Sequence, residues 1–327
     1  MSEKADPTVG ELSERDVLAR IFAVLGGTSR ALVGPGDDAA VLAAPDGRVV
    51  VTTDTLVHGP DFRLAWSSGR DLGVKAAAVN LADVAAMGAR PTALFVALAV
   101  PDETRISFVE ELARGLREGC ELLAPGCAVE GGDLTVSDTL TIAVTAVGVL
   151  DRRAPVRRSG ARPGDVVAVA GTLGRAARGL ALLFDRFRDP AGEPMAVDAG
   201  ALRDHERDDL HAQLRPLPPV ALGPRAAEAG ATALMDVSDG LVLDATRLAD
   251  ASGVTVAIRG VTDPHELDGG EDHALLGTFP ADVVLPEGFR AIGVVEPRGL
   301  YPVTVDGRAH TGRGGWDPYQ DWDARRG

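Results

Sequence analysis

Apolar and polar positions along the chain switch repeatedly between a helical and a strand period, and each switch marks an element. Residues 13–25 carry apolar positions at helical spacing and stop at Gly26-Gly27, which predicts an amphipathic helix. Runs at 39–42 and 48–53 flank Pro45-Asp46-Gly47 and predict two strands joined by a turn. Residues 69–89 are rich in Ala and Leu and predict a long helix, stopped by Gly88 and Pro91. A continuous apolar strand at 92–100, a helix at 106–123 and a strand at 139–150 complete the first half. The order β-β-α-β-α-β favours an α+β layer with helices on one face of a sheet.

The apolar pattern breaks at 151–164, where Asp151-Arg152-Arg153 and the run from Arg157 to Gly164 intervene. This break divides the chain into an N-terminal domain, 1–155, and a C-terminal domain, 156–327. Beyond it the pattern predicts a strand at 165–170, a helix at 174–187 and a partly ordered helical excursion at 188–213. A helix near 220–229, a strand at 231–235, a helix at 239–252 and a strand at 254–258 follow, making the second half mixed α/β.

Composition narrows the partners. The 327 residues are 45% hydrophobic and 25% charged, the balance of a globular protein. A formal net charge of −15 with no basic stripe argues against nucleic acid, so an anionic nucleotide would have to bind through metal. No apolar run reaches the roughly 18 residues of a membrane span, and the N-terminus lacks a signal-peptide layout. The expected location is the cytoplasm, with no membrane partner. Cys120 and Cys127 fit neither a redox pair nor a zinc site and read as small hydrophobes.

Five acidic motifs carry the chemistry: Gly36-Asp37-Asp38, Thr52-Thr53-Asp54, Asn80-Leu81-Ala82-Asp83, Gly131-Gly132-Asp133 and Asp236-Val237-Ser238-Asp239-Gly240. Magnesium wants oxygen ligands and reaches proteins through one or two carboxylates plus substrate phosphates. Five such motifs gathered in space would build a multi-magnesium, polyphosphate-binding site. Each alone also has an ordinary reading. Gly36-Asp37-Asp38 can be a turn, Gly131-Gly132-Asp133 a hairpin, and Ser238 the N-cap of a helix beginning at Asp239. Asn80 and Asp83 share one face of an apolar helix, where a buried carboxylate needs a partner. Arg158 is either part of a solvated loop or a guanidinium for a phosphate.

Taken in order, the motifs resemble those of the thiamine-monophosphate kinase family. That family shares a superfamily with aminoimidazole ribonucleotide synthetase, selenophosphate synthetase and a hydrogenase maturation protein. The resemblance runs from Gly34-Pro35-Gly36-Asp37-Asp38 through Thr52-Thr53-Asp54, Lys75 to Ala89, Gly131-Gly132-Asp133, Arg158-Ser159-Gly160 and Asp236 to Leu241, ending at Gly269-Gly270-Glu271-Asp272. It implies a two-domain PurM-like α+β fold, whose N-terminal domain pairs with a second copy to close a β-barrel. It also implies a homodimer that phosphorylates thiamine monophosphate to thiamine diphosphate with ATP, by direct in-line transfer assisted by several Mg2+ ions. Carried over by position, the magnesium shell is Asp38, Thr52, Thr53, Asp54, Asp83, Asp133, Asp236 and Asp239, with Asp37 as a neighbour. Gly132, Asp133, Arg158 and Ser238 are the implied nucleotide contacts, and Asp61, Glu271 and Trp316 the implied substrate contacts. No general base is expected, because a phosphate acceptor is already ionised near neutral pH.

Three departures from the family pattern fall on the acceptor side. Asp61 stands where the family has His, with His58 a candidate substitute. His273-Ala274 replaces Tyr-Glu, and the ending reads Trp316-Asp317-Pro318-Tyr319. Two other functions stay open on the sequence: a superfamily relative acting on another acceptor, such as an aminoimidazole ribonucleotide synthetase, and a non-catalytic magnesium–nucleotide-binding protein.

Overall fold

A computed structural model describes residues 6–34, 39–310, 312 and 314–316. The first half contains α1 (Glu14–Leu25), β1 (Val50–Val57), α2 (Gly69–Ala86), β2 (Arg90–Val100), α3 (Ile106–Leu123), β3 (Ala128–Val136) and β4 (Thr141–Val149). Its four strands lie in the order β1-β4-β2-β3. β4 runs antiparallel to both neighbours and β3 parallel to β2, leaving β1 and β3 as open edges. Among the described residues one chain therefore forms an open sheet and no closed barrel.

Two expectations change here. Residues 39–42 make only an isolated bridge, Val33 to Val41, and β1 pairs instead with β4, from Val50 opposite Gly148 to Val57 opposite Thr141. The turn before β1 does form, with Gly47 N–H donating to the Ala44 carbonyl at 3.0 Å. Gly131-Gly132-Asp133 is the middle of β3 and not a turn. Gly132 is needed there because a Cβ would lie 2.1 Å from the Val96 carbonyl oxygen. The strand was hidden because adjacent glycines normally signal a turn.

Helix α2 begins at a capping box, with Ser68 and Asp71 bonding each other's backbone N–H. It is apolar around its circumference, and nearly every residue from Leu72 to Ala86 is buried. A helix of that kind must be covered on all sides. Helix α3 covers one side so closely that a Cβ on Gly73 would lie 2.1 Å from the Leu112 carbonyl and one on Gly115 2.2 Å from that of Arg70. The first sheet and the second domain cover the rest.

The second domain holds β5 (Val166–Ala170), α4 (Arg175–Arg186), α5 (Asp204–Leu214), α6 (Leu222–Glu228), β6 (Ala233–Val237), α7 (Leu241–Ser252), β7 (Val254–Ile258), α8 (Pro264–Asp268), β8 (Ala274–Phe279), β9 (Phe289–Pro297), β10 (Val303–Val305) and β11 (Arg308–Ala309). Its strands form a seven-stranded mixed sheet in the order β11-β10-β7-β9-β5-β8-β6. The excursion at 188–213 is firmly packed. Helix α5 lies so close to α4 that a Cβ on Gly179 would meet the Asp209 carbonyl at 2.2 Å. Leu183, Phe187, Leu202 and Leu210 form a small core there with Trp66 of the first domain. The Trp66 indole N–H donates to the Phe187 carbonyl at 3.1 Å, and Arg215 pairs with Asp71, so the excursion ties the two domains together. Its sequence is mostly polar, so the pattern marks it as helical but only partly ordered, whereas α5 packs through a narrow buried stripe. No described helix is long and apolar enough to cross a membrane.

The glycine contact between α2 and α3 has a measurable cost if broken. Gly73→Ala drives a methyl into backbone that cannot yield, so unfolding stability in urea should fall by about 2–3 kcal/mol. An unchanged urea midpoint contradicts the close crossing.

Candidate active site

Strand alternation sends Thr52 and Asp54 of β1 to the side of the sheet where α2 lies, and Thr53 to the opposite side. The Thr52 hydroxyl donates to the Asp83 carboxylate of α2 at 2.8 Å. The Thr53 hydroxyl instead donates to the Val144 carbonyl at 3.1 Å and accepts from Thr145 at 3.2 Å, which keeps it within the sheet. Asp236, near the C-terminal end of β6, brings a third carboxylate from the other domain. Burial raises the proton affinity of Asp83 to a pKa of about 6, and the neighbouring charges of Asp236 and Asp54 add to the rise. Asp54 is raised as well, first by burial and then by Glu271 and Asp236. Asn80, on the same helix, turns inward: its amide donates to the Ala76 carbonyl at 3.0 Å and its oxygen is buried with no hydrogen-bond partner.

Beside this cluster a cavity of about 730 Å3 opens between the domains. Asp61, Glu271 and Trp316 all line it, together with Ser238, Asp239 and Lys75. Asp61 accepts from the Val57 N–H at 2.7 Å, and burial followed by the Glu271 charge raises its proton affinity. Glu271 pairs with the Lys75 ammonium. Burial works against its ionisation, but Lys75 and then His273 outweigh that and hold its pKa below the usual value. The Trp316 backbone N–H donates to the Asp239 carbonyl at 2.9 Å, which ties this residue to the segment containing Ser238 and Asp239. At the far end, Arg63 stacks 4.9 Å from the rings of both Trp66 and Phe184.

The segment 238–240 departs from its expected role. Helix α7 starts at Leu241 with Gly240 as N-cap, so Ser238 does not cap it. The Ser238, Asp239 and Gly240 N–H groups all donate to one oxygen of Asp244, at 3.1, 3.0 and 3.3 Å. Those backbone donors are therefore engaged by a side chain, and a phosphate at Ser238 would have to use its hydroxyl. Asp244 is itself buried, and burial with the nearby Asp236 lifts its pKa to about 6. Arg247 bridges Asp239 and Asp244, so Asp239 reaches the site already paired with a cation.

Other expected residues lie apart from this cluster within one chain. The rows β1, β4, β2 and β3 place Asp54 opposite Val144, Val144 opposite Val96 and Val96 opposite Gly132. Asp133 thus sits three strand spacings from Asp54, about 14 Å across the sheet. Gly132 and Asp133 line a second cavity of about 900 Å3, bounded by α1, α3 and Glu130. Arg158 has its carbonyl bonded to Ser252 at the C-terminal end of α7, about 18 Å from Ser238 by the length of that helix. Asp37 and Asp38 lie outside the described residues.

The chemistry of the donors suits a divalent cation. Asp54, Asp83 and Asp236 are hard oxygen ligands whose charges oppose one another, and a cation between them would relieve that repulsion. Among the described residues no three ligating side chains close into a preformed cage, so phosphate oxygens would complete the coordination.

Comparison with known proteins agrees with the motif order. The family model for "AIR synthase related protein, N-terminal domain" matches residues 36–150. Thiamine-monophosphate kinase of Mycobacterium tuberculosis is 41% identical, over 97% of this chain and 95% of its own. The chain belongs to the thiamine-monophosphate kinase family. Among solved structures, thiamine-monophosphate kinase from Stenotrophomonas maltophilia K279a superposes with a TM-score of 0.75 at 33% identity, covering 91% of this chain and 98% of its own. The structure of AaThiL complexed with AMPPCP and TMP superposes with a TM-score of 0.70 at 31% identity, covering 93% and 97%.

Within a chain of the thiamine-monophosphate kinase family, the motifs do not single out Lys75, Asp244 or Arg247 as members of the site, and His273, expected on the acceptor side, has its ring against Asp236. Lys75 had a visible signal, a cation amid the apolar middle of α2, where burial demands a partner. Asp244 had none, because a polar residue four positions into a helix usually faces solvent.

The raised pKa of Asp83 makes a stability prediction. The folded state holds the proton up to about pH 6, whereas the unfolded chain releases it near pH 4. Metal-free protein should therefore lose stability as pH rises from about 4 to about 6 and then level off. Asp83→Asn should flatten this fall and raise stability at pH 7.5 by on the order of 1–2 kcal/mol. Thermal melts across pH check it, and a wild-type protein that gains stability over this window contradicts it.

Proposed function

We propose that this protein phosphorylates thiamine monophosphate to thiamine diphosphate with ATP, by direct in-line transfer. The observation that carries the reading is the meeting of Asp54, Asp83 and Asp236, from three elements and both domains, beside a cavity lined by acids and an aromatic. A cationic aromatic ring suits the walls formed by Asp61, Glu271 and Trp316, and the acceptor's phosphate would then point toward the carboxylates. Asp54, Asp83 and Asp236 would hold Mg2+, which supplies charge neutralisation between donor and acceptor phosphates. The chain's own contribution is positioning: Lys75 fixes Glu271, and Asp244 with Arg247 fixes the segment carrying Ser238 and Asp239. No side chain is assigned as a general base, since the acceptor is ionised already. The second cavity, with apolar walls and Gly132-Asp133 at its edge, is assigned to the nucleoside of ATP.

We further propose that the working unit is a homodimer in which the open sheet is closed edge to edge by a second copy. Two facts favour it. Val51 and Val136, on the two edge strands, are 57% and 62% exposed, and Asp133 is too far from Asp54 to share a metal within one chain. A strand edge left bare is a template for another chain. Closure would bring the β3 edge of each copy to the β1 edge of the other.

Two experiments test these readings. Purified protein with ATP, Mg2+ and thiamine monophosphate should release ADP and yield thiamine diphosphate, and Asp54→Asn should cut kcat by about 10²–10³-fold. An Asp54→Asn enzyme with full turnover contradicts the site. For the dimer, Asp54→Asn and Asp133→Asn chains, each inactive alone, should recover about a quarter of wild-type activity after mixing and subunit exchange. No recovery would mean that each site draws both residues from one chain.

A further inference from the structure

The segment joining α8 to β8 is pressed onto the end of β6. The Glu271 N–H donates to the Ser238 carbonyl at 2.8 Å and the His273 N–H to the Val237 carbonyl at 3.1 Å. Gly270 permits this approach, because a Cβ there would lie 2.2 Å from the Ser238 carbonyl oxygen. Glu271 and His273 both adopt the left-handed region, with φ of 71° and 51°. That conformation is uncommon outside Gly, Asn, Asp and His, so the fold holds Glu271 there at a cost, while His273 is among the residues that tolerate it.

What this achieves at His273 is a single polar contact. The ring is 2% exposed, Nδ1 lies 3.2 Å from Oδ2 of Asp236, and Nε2 is buried with no hydrogen-bond partner. Facing a carboxylate, Nδ1 carries the hydrogen and donates. Asp236 is itself 5% exposed, and like charges on Asp83 and Asp54 lie near it. A carboxylate so placed would turn from its neighbours unless something held it. We propose that His273 is the positioning residue for Asp236: its Nδ1–H fixes one carboxylate oxygen and so presents the other toward the metal–nucleotide site shared with Asp54 and Asp83. This rests on the kinase reading above and adds to it a residue that touches neither substrate. It gives a purpose to a position where the family pattern has Tyr. A hydrogen-bond donor behind a metal-ligating carboxylate sets that ligand's orientation, and losing such a partner typically weakens metal binding by about 10–100-fold.

The test uses an isosteric pair. In His273→Asn the amide nitrogen stands as many bonds from the backbone as Nδ1, and Asn tolerates the left-handed backbone. His273→Leu has the same shape without the donor, and His273→Gln places its amide one bond too far. Binding of Mn2+ in the presence of a non-hydrolysable ATP analogue, followed by electron paramagnetic resonance, reads the metal site without the acceptor. Mn2+ affinity should fall about tenfold or more in His273→Leu and His273→Gln and stay within about threefold of wild type in His273→Asn. The KM for thiamine monophosphate should stay within about twofold throughout. Wild-type Mn2+ affinity in His273→Leu, or in His273→Gln should the Leu variant not fold, overturns the inference. So does an Asn variant as weak as the Gln variant. A wild-type protein that binds no Mn2+ with the analogue overturns the kinase reading as well.

Discussion

The burial of α2 is the constraint on which the rest depends. A helix that is apolar on every side has no stable place in water, so both domains must close around it. Because it is held between them, any polar residue on it is delivered to the domain junction. Lys75 and Asp83 are two such residues, and they face the cavity and the carboxylate cluster respectively. The close contact with α3, at Gly73 and Gly115, fixes the depth of the helix, and the cap at Ser68 and Asp71 fixes its start.

Around that helix the site is held together by opposed charges, each partly answered by a nearby cation or donor. Lys75 answers Glu271, Arg247 answers Asp239 and Asp244, and His273 faces Asp236. Among the described residues Asp54 and Asp83 pair with no cation, and burial raises both, as it also raises Asp61 and the paired Asp244. The pairing differs along the site: Arg247 and Lys75 tie the acids of the loops at 238–240 and 271, whereas Asp54 and Asp83 face each other and Asp236.

Much of the fold was legible. The helices α1, α2 and α3 and the strands β2, β4 and β7 lie where the apolar pattern puts them, because each is an amphipathic or continuous apolar run bounded by turn or polar residues. The failures have specific causes. The strand β3 carries paired glycines, of which Gly132 is required by the Val96 backbone and not by a turn. The excursion at 188–213 reads as helical but only partly ordered, because α5 buries too few apolar positions to show a full period. The hairpin expected at 39–53 lost to β4, whose longer apolar run offered β1 a full-length partner.

The sequence by itself determined the types of ligand and their order along the chain: carboxylates beside Gly, Ser and Thr, on or next to strands and one buried helix. Those follow from local chemistry, which composition and spacing carry. Only the tertiary structure decided which of them meet. Asp54, Asp83 and Asp236 come together because α2 is gripped by both domains, whereas Asp133 and Arg158 are separated from them by three strand spacings and by the length of α7. It also decided that the backbone donors at 238–240 belong to Asp244 and that His273 stands behind Asp236. Such pairings join residues up to 37 positions apart through strand register and close backbone approach, and no local pattern in a single sequence records either.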